Sequence, residues 1–185
     1  MKTIKTGQEA RALIKSGIDL SVDCIKKTLG PNGRNAIIGR QSITPLITND
    51  GVTIAQQIQS ENEIEELGVQ LVKEVSRLTE TSAGDGTTTA SVLLQAIVNM
   101  GIENIDGEQL LKKVNSIGLK AEIDEACKLI VAELEKRAKP ITSKKDIQKV
   151  AKISVQSDEL AEIIADIFSK IGAEGIITVE EGSYK

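Results

Sequence analysis

The chain has 185 residues, a formal net charge of -4 and no histidine. The lack of histidine excludes Ser/His and Cys/His catalysis and most metal sites built on imidazole, so acid–base chemistry falls to carboxylates. The negative charge argues against nucleic acid as a partner, and no apolar run approaches the ~18 residues that a membrane span needs.

The N-terminal part predicts a strand, a helix and a hairpin in that order. Residues 2–6 alternate between polar and apolar, which is typical of a short edge strand. Apolar residues recur at helical spacing over 8–29, and the Gly-Pro pair that follows predicts the end of that helix. Two short apolar runs, 36–38 and 46–47, indicate a small hairpin or a pair of strands.

The next segment predicts a turn and then two long helices. Asn49-Asp50-Gly51 is by default a turn signal. A capping-box pattern at Ser60 and Glu63 predicts a helix that runs to about Ser82. A second helix is predicted over 87–101. The apolar stripe expected to be buried on the first of these helices is Ile64, Leu67, Leu71, Val72, Val75 and Leu78.

Two further helices, over 106–114 and 116–138, precede a predicted domain boundary at 139–140, since proline disfavours helix in the residue before it. Cys24 and Cys127 stand apart, each on an apolar helical stripe and without C-x-x-C spacing. This pattern predicts buried free thiols in a reducing compartment. Because the N-terminus also lacks a hydrophobic signal core, we expect a cytoplasmic protein.

The C-terminal part predicts a helix over about 144–151 and another over 158–171. Ser157 is the expected N-cap of the second helix and Gly172 its C-cap. A strand is expected over 175–180. Since a strand pairs with something and the sequence ends five residues later, we expect it to be part of a longer protein.

The segment from Ala83 to Ala90 concentrates polar chemistry between two helices, with two glycines, one carboxylate and three consecutive threonines. A helix start offers free N–H groups and favours negative charge, which makes an anion site. Asp85 would repel a bare phosphate, so the pattern indicates a magnesium nucleotide. An ordinary N-cap, formed by Asp85 or Thr87, is the alternative. The three consecutive threonines favour the nucleotide. A helix cap needs only one threonine, and β-branched residues are mediocre helix formers.

Five motifs in this order resemble one protein family: Thr28 to Asn35, Ile47 to Val52, Gly84 to Ala90, Ile153 to Glu159, and Gly175 to Glu180. Together they make the chain similar to the 60 kDa chaperonins of the bacterial and organellar group. No G-x-x-x-x-G-K-[ST] pattern is present, so an ordinary P-loop is excluded as the source of phosphate binding.

The resemblance implies a mainly α fold, with a multihelical equatorial-domain segment and small β-hairpin elements over 1–138. The first leg of an α/β intermediate domain would occupy 139–185, with the apical domain and the C-terminal half absent. Each long helix has an apolar stripe to bury, so we expect four of them to pack together. These are the helices over 8–29, 61–83, 87–101 and 116–138.

The resemblance also implies the cofactors, which are ATP and Mg²⁺, with K⁺ as a further candidate. Asp85 would hold the Mg²⁺. The phosphates would be held by Gly86, Thr87, Thr88 and Thr89. The opposite side of the nucleotide would be lined by Thr28, Leu29, Gly30 and Pro31. Asp50 would polarise the attacking water, with Asn49 and Gly51 beside it.

One of these positions departs from the family pattern. The bacterial group usually has lysine where this chain has Asn49, which removes a charge near the phosphates. The resulting Asn-Asp-Gly is closer to the archaeal and eukaryotic cytosolic group, whereas Gly33-Arg34-Asn35 and the segment from Ile153 to Glu159 favour the bacterial one.

The function implied by the resemblance is that of an ATP-hydrolysing chaperonin subunit, which assists the folding of unfolded proteins inside a ring complex. Its partners would be further copies in a double heptameric ring, a co-chaperonin and unfolded protein substrates, with no nucleic acid and no membrane. The family carries a second catalytic Asp in a later segment, so we expect this chain alone to be inactive. The alternative is a truncated, catalytically incomplete fragment that acts only as an assembly or interaction module.

Overall fold

The fold is mainly helical in the computed structural model, which describes residues 3–40, 43–106, 115–172 and 175–178. The helices are α1 (Gly7–Ile25), α2 (Gly51–Gln57), α3 (Glu63–Ala83), α4 (Thr87–Asp106), α5 (Ser116–Arg137), α6 (Lys144–Val155) and α7 (Asp158–Ile171). The strands are β1 (Ala36–Arg40) and β2 (Ile43–Thr48), and a 3-10 turn follows α1 at Lys26–Thr28. The chain divides into two compact units, Met1–Asp124 and Glu125–Lys185. Within the described ranges, no helix is long and apolar enough to cross a membrane.

The core of the first unit lies where α1 packs against α2, α3 and α4. Its buried side chains are Ile18, Val22, Ile25, Ile54, Ala55 and Val72. Partly buried residues of α4 and of the hairpin pack around them. The predicted packing of the first three long helices is therefore confirmed. Helix α1 is shorter than predicted, since it gives way to the 3-10 turn after Ile25.

Helices α1 and α3 cross at two glycines. A methyl group on Gly17 would lie 1.9 Å from the carbonyl oxygen of Glu65, and one on Gly68 would lie 2.1 Å from that of Ile14. No other residue fits at either position without moving the backbones apart. The two glycines therefore set how closely these helices approach.

This close approach also decides which face of α3 is buried. The buried residues of α3 are Gly68, Val69, Val72 and Ser76. Three residues of the predicted stripe are about half exposed, namely Leu67, Leu71 and Leu78. The predicted stripe was thus wrong for these leucines, because the small residues allow closer contact than the large apolar ones and bring their own face inward.

The start of α3 also differs from the prediction. Asn62 is the N-cap, and its side-chain oxygen accepts hydrogen bonds from the amides of Ile64 and Glu65 at 3.0 and 3.1 Å. The Ser60 amide instead donates to the carboxylate of Glu66 at 2.8 Å. The predicted Ser60 and Glu63 capping box is therefore wrong, since asparagine two residues further on takes the cap position.

The predicted hairpin is confirmed. Strands β1 and β2 pair antiparallel, with Ile37 opposite Ile47 and Ile38 opposite Leu46. The side chain of Ile38 packs against the core, whereas Ile37 and Ile47 are exposed.

Polar contacts fasten α1 to α4. Asp19 accepts hydrogen bonds from Lys15 at 2.6 Å, Gln95 at 2.7 Å and Asn99 at 3.0 Å. Desolvation by burial raises the pKa of Asp19, but these hydrogen bonds and the charge of Lys15 outweigh it and hold the pKa below its ordinary value. The carboxylate is therefore a charged link between the two helices.

The C-terminal end of α4 is held by a second link to α1. Helix α4 continues past the predicted end at Gly101 to Asp106, whose carboxylate pairs with Arg11. This ion pair links the C-terminal end of α4 to α1. The rest of the helix predicted over 106–114 lies outside the described residues.

Helix α5 lies where the sequence predicts a helix over 116–138. None of its residues is buried. Because α5 crosses from the first unit into the second, its expected packing with the other helices stays a prediction. Its apolar residues include the consecutive run Leu129, Ile130 and Val131, which a helix spreads over different faces instead of gathering on one. Cys127 is exposed on α5 and Cys24 is exposed on α1, so the prediction of buried thiols is wrong.

The second unit contains the pair α6 and α7, which pack together with Ala161 and Ala165 buried. The predicted caps of α7 are confirmed, since Ser157 accepts from the amide of Leu160 and Gly172 ends the helix. Helix α6 begins where predicted and runs one turn further, to Val155. An apolar groove of about 500 Å³ lies along the pair.

The two predicted terminal strands are not present where the structure describes them. Residues 3–6 and 175–178 have no strand assignment. The remaining residues of these two predictions, at position 2 and at 179–180, lie outside the described residues. Neither segment has a neighbouring strand in the described part of the chain, where the sheet contains only β1 and β2.

Candidate functional site

A small cleft in the first unit brings together two segments that are far apart in the sequence. Its volume is about 180 Å³. It is lined by Thr28, Leu29, Gly30, Asp85, Gly86, Thr87, Thr88 and Thr89. The first three residues end the 3-10 turn after α1, and the others form the loop between α3 and α4 and the first turn of α4. Most of the residues predicted to bind a nucleotide therefore surround one cleft.

The loop between α3 and α4 presents backbone N–H groups to the cleft. The amide of Ala90 donates to the carbonyl of Gly86 at 2.9 Å, which closes the first turn of α4. The amides of Thr87, Thr88 and Thr89 precede any i to i-4 acceptor of this helix, so they are free to bind an anion. Gly84 and Gly86 have φ values of 71 and 88 degrees, a left-handed backbone that favours glycine.

The carboxylate of Asp85 is exposed and accepts a hydrogen bond from the amide of Gly86 at 2.6 Å. That amide lies before the helix begins. Among the hydrogen bonds of the described residues, neither Asp85 nor Thr87 caps α4 with its side chain. The alternative of an ordinary N-cap is therefore wrong for this helix, and most of the Asp85 carboxylate faces solvent.

The threonines connect the two sides of the cleft. Thr28 donates its hydroxyl proton to the carbonyl of Ile25 at 2.9 Å, and its oxygen lies 3.5 Å from the hydroxyl of Thr88. Since the Thr28 proton is already used, Thr88 is the donor in that long contact. A better acceptor entering the cleft would therefore attract the Thr88 proton.

Gly51 supports the cleft from behind. It is buried, and a methyl group there would lie 2.7 Å from the hydroxyl of Thr88 and 3.1 Å from that of Thr87. The backbone at the start of α2 thus lies directly against the first turn of α4. Gly51 touches the cleft threonines without lining the cleft itself.

The other predicted site residues, Pro31, Asn49 and Asp50, are described but do not line the cleft. Asp50 is the N-cap of α2, where its carboxylate accepts from the amides of Val52 at 3.4 Å and Thr53 at 2.9 Å. The hydroxyl of Thr53 donates to it as well. The turn predicted at Asn49-Asp50-Gly51 is therefore a helix start, and α2 was missed because seven residues are too few to show a helical period.

The cleft offers oxygen ligands, which are those that Mg²⁺ prefers. Within the described part of the chain, no group of three or more acidic, histidine or cysteine residues could hold a metal ion alone. One exposed carboxylate beside several hydroxyls fits a Mg²⁺ ion that keeps its waters and arrives with phosphate oxygens. The residues present are thus compatible with a metal brought in by a nucleotide.

Sequence reasoning missed one pair of residues beneath the cleft. Ser76 of α3 and Ser91 of α4 are both fully buried, and their hydroxyl oxygens lie 3.2 Å apart. Ser91 also donates to the carbonyl of Thr87 at 2.9 Å. The signal was present in the sequence as small polar residues on otherwise apolar helix faces, but the stripe chosen for α3 excluded Ser76.

The fold is similar to that of solved chaperonins. A crystal structure of a group III chaperonin in the open state is 27% identical, with a TM-score of 0.71, and the match covers 88% of this chain and 32% of that one. The chaperonin gp146 from the bacteriophage EL 2 (Pseudomonas aeruginosa), crystallised in the presence of ATP-BeFx, is 24% identical with a TM-score of 0.71. That match covers 89% of this chain and 28% of gp146. The chain thus spans about a third of the length of these structures.

The sequence defines the same class of protein. Residues 22–184 match the profile of the TCP-1/cpn60 chaperonin family. The chain belongs to this family. The predicted mainly α chaperonin fold is therefore confirmed, and so is the assignment to the chaperonins as a whole.

Proposed function

We propose that this chain is part of an ATP-hydrolysing chaperonin subunit and that its cleft holds the phosphates of magnesium-bound ATP. One observation carries the proposal. The cleft joins Thr28–Gly30 to Asp85–Thr89, so two segments separated by four secondary structure elements supply hydroxyls, amides and a carboxylate to the same small space.

The geometry of the cleft supports a division of roles among these residues. The free amides at the start of α4 and the hydroxyls of Thr87, Thr88 and Thr89 bind phosphate oxygens, since donors and the helix dipole both favour an anion there. Asp85 binds Mg²⁺, which neutralises phosphate charge when it is bound, and K⁺ is a further candidate cation. Thr28 and Gly30 close the opposite side.

In the proposal, Asp50 polarises the attacking water. Its carboxylate already accepts three hydrogen bonds from the first turn of α2, which fixes its orientation, and a carboxylate has further lone pairs to offer a water. Gly51 links it to the cleft through contact with Thr87 and Thr88. Pro31, which follows the cleft residue Gly30, and Asn49, which precedes Asp50, complete the proposed nucleotide contacts.

The proposal extends to the longer protein that the relatives indicate. We assign 1–138 to an equatorial segment and 139–185 to the first leg of an intermediate domain. The proposed assembly is a homo-oligomeric ring in the cytoplasm, with a co-chaperonin and unfolded proteins as partners. We propose the bacterial and organellar group because of Gly33-Arg34-Asn35 and the segment from Ile153 to Glu159, although the group III relative is also similar.

A second candidate is a non-enzymatic assembly module. The observation that favours it is the position of Asp50 outside the cleft lining. Large apolar side chains are also about half exposed on α3 and α4, and such surfaces mark contact sites. They are Leu67, Leu71, Leu78, Leu93, Ile97 and Met100.

The test is titration calorimetry of the 185-residue chain with ATP, in the presence of Mg²⁺ and again with excess EDTA, together with an assay of phosphate release. We expect weak binding that requires Mg²⁺ and negligible hydrolysis, since an open cleft leaves the triphosphate largely in water, where charge contacts are worth little. Failure to bind ATP would contradict the proposed cleft. Turnover on the order of 1 s⁻¹ would show instead that the chain is a self-sufficient ATPase.

A further inference from the structure

The hydroxyls of Ser76 and Ser91 form a directed chain of hydrogen bonds. Ser91 donates its single proton to the carbonyl of Thr87 at 2.9 Å. The 3.2 Å contact between the two hydroxyl oxygens therefore has Ser76 as donor and Ser91 as acceptor. This series of hydrogen bonds leads from Ser76 of α3 to Ser91 of α4, and from there to the backbone carbonyl of Thr87, the first of the threonines proposed to bind phosphate.

This contact is not needed to satisfy Ser76 within its own helix. The other hydroxyl residues in the C-terminal half of α3 each donate to the carbonyl one turn before, namely Thr79, Thr81 and Ser82. Ser76 has the same option, because a helical serine can always reach that carbonyl. It contacts a different helix instead.

The position of the pair matters because it brackets the loop between α3 and α4. A methyl group at Gly84 or Gly86 would meet nothing within 4 Å, so these two residues have open space on the side where a side chain would lie. Ser76 lies before this loop and Ser91 lies after it. The hydrogen bond thus closes a ring of chain that contains Asp85 and the threonines of the cleft.

We propose that Ser76 and Ser91 are positioning residues, which hold Asp85 and the first turn of α4 in place for the phosphates. The inference rests on the proposed function. A net buried hydrogen bond corresponds to about a three- to tenfold change in an equilibrium constant. That factor is the expected size of the effect on nucleotide affinity.

The experiment compares Ser76→Ala, Ser91→Ala and the double variant, with Ser82→Ala as the matched control in α3. Affinity for ATP with Mg²⁺ is measured by calorimetry, and amide hydrogen exchange is measured without nucleotide. We expect Ser91→Ala to weaken binding about three- to tenfold and Ser76→Ala to weaken it less. The double variant should match Ser91→Ala, since Ser76 acts only through Ser91. Ser91→Thr, which keeps the hydroxyl, should restore affinity.

Hydrogen exchange separates positioning from a general loss of stability. The amides of Ala90 and Ser91, in the first turns of α4, should exchange faster in Ser76→Ala and Ser91→Ala, whereas that of Val98 in the middle of α4 should not. Equal acceleration at all three amides, or none, would overturn the inference. So would additive effects on affinity. If the unmodified chain fails to bind ATP, the proposed function fails, and the exchange data alone decide whether the serine pair positions the loop.

Discussion

Two Asp-Gly pairs in the first unit lie at the starts of helices but have different structural roles. Asp50-Gly51 opens α2, and the Asp50 carboxylate accepts hydrogen bonds from the amides of the first turn. Asp85-Gly86 stands before α4, and the Asp85 carboxylate accepts from the amide of Gly86. The first carboxylate is used by the helix, and the second remains open to the cleft.

A shift of one residue produces this difference. Helix α2 begins at Gly51, so Asp50 occupies the N-cap position itself. Helix α4 begins at Thr87, so Gly86 occupies the position before it and Asp85 lies one residue further out. The same dipeptide therefore serves as a cap in one place and as a ligand candidate in the other, according to where the helix starts.

The largest expected effect is that of Asp85→Ala, which tests the open carboxylate. We expect the dependence of ATP binding on Mg²⁺ to disappear, with affinity falling at least about tenfold, because Asp85 is the one carboxylate among the described residues that line the cleft. Thermal stability should not change, since the side chain caps no helix. Calorimetry with equal affinity for the unchanged chain and the variant would contradict the assignment.

Asp50→Ala tests the capping carboxylate. We expect the free energy of unfolding to fall by about 1 kcal/mol, the usual cost of removing a cap, while affinity for magnesium-bound ATP stays the same. In a longer form of the protein that hydrolyses ATP, turnover should fall about 100-fold or more, as for the loss of a group that activates water. Denaturant unfolding and phosphate release measure the two effects, and unchanged turnover would argue against a role in hydrolysis.

Gly51→Ala tests the contact between the two helix starts. The added methyl group would lie 2.7 Å from the Thr88 hydroxyl, so Thr88 must rotate or α2 must move, at a cost of about 1–3 kcal/mol. Stability and ATP affinity should both decrease. The control is Gly101→Ala in α4, where a methyl group meets nothing within 4 Å. That substitution should stabilise the helix slightly, since alanine favours a helix more than glycine does. If Gly51→Ala and Gly101→Ala changed stability and ATP affinity equally, the contact between Gly51 and Thr88 would be contradicted.

The smallest expected effect is that of Asp19→Asn, which changes a carboxylate outside the cleft that joins α1 to α4. Its pKa lies below the ordinary value, so its contribution to stability is present above the ordinary carboxyl pKa and is lost as the pH falls through the folded-state pKa. The variant should be about 1 kcal/mol less stable near pH 7, with a flatter loss of stability on acidification. Denaturant unfolding at several pH values measures this, and parallel pH curves would contradict it.

The sequence predicted which residues lie around the cleft better than it predicted the helix packing. Asp85 and the three threonines after Gly86 could be singled out because their chemistry is local, and the resemblance joined them to Thr28, Leu29 and Gly30, which line the same cleft. The cap role of Asp50 was missed although Thr53 stands three residues later, since an Asn-Asp-Gly run is also a common turn. An aspartate at position 50 does not by itself show that α2 begins at the next residue.

The packing errors share a physical cause. The stripe on α3 was predicted from large apolar residues, whereas the buried face is set by Gly17 and Gly68, where backbone meets backbone. Small residues add little hydrophobicity to a helix face, so hydrophobic periodicity does not predict that they are buried. The burial of Ser76 beside Ser91 was missed for the same reason, and only the tertiary contact reveals it.

In the proposed site, a metal-bound triphosphate sits at Asp85 and not at Asp50. Mn²⁺ takes the place of Mg²⁺ in such sites, and its unpaired electrons broaden the NMR signals of nearby amides. With Mn²⁺ and ATP added to the 185-residue chain, we predict the strongest broadening at Asp85, Gly86 and Thr87, and less at Val52 and Thr53. Broadening centred on Val52 and Thr53, or spread evenly over the acidic residues of the surface, would contradict the claim.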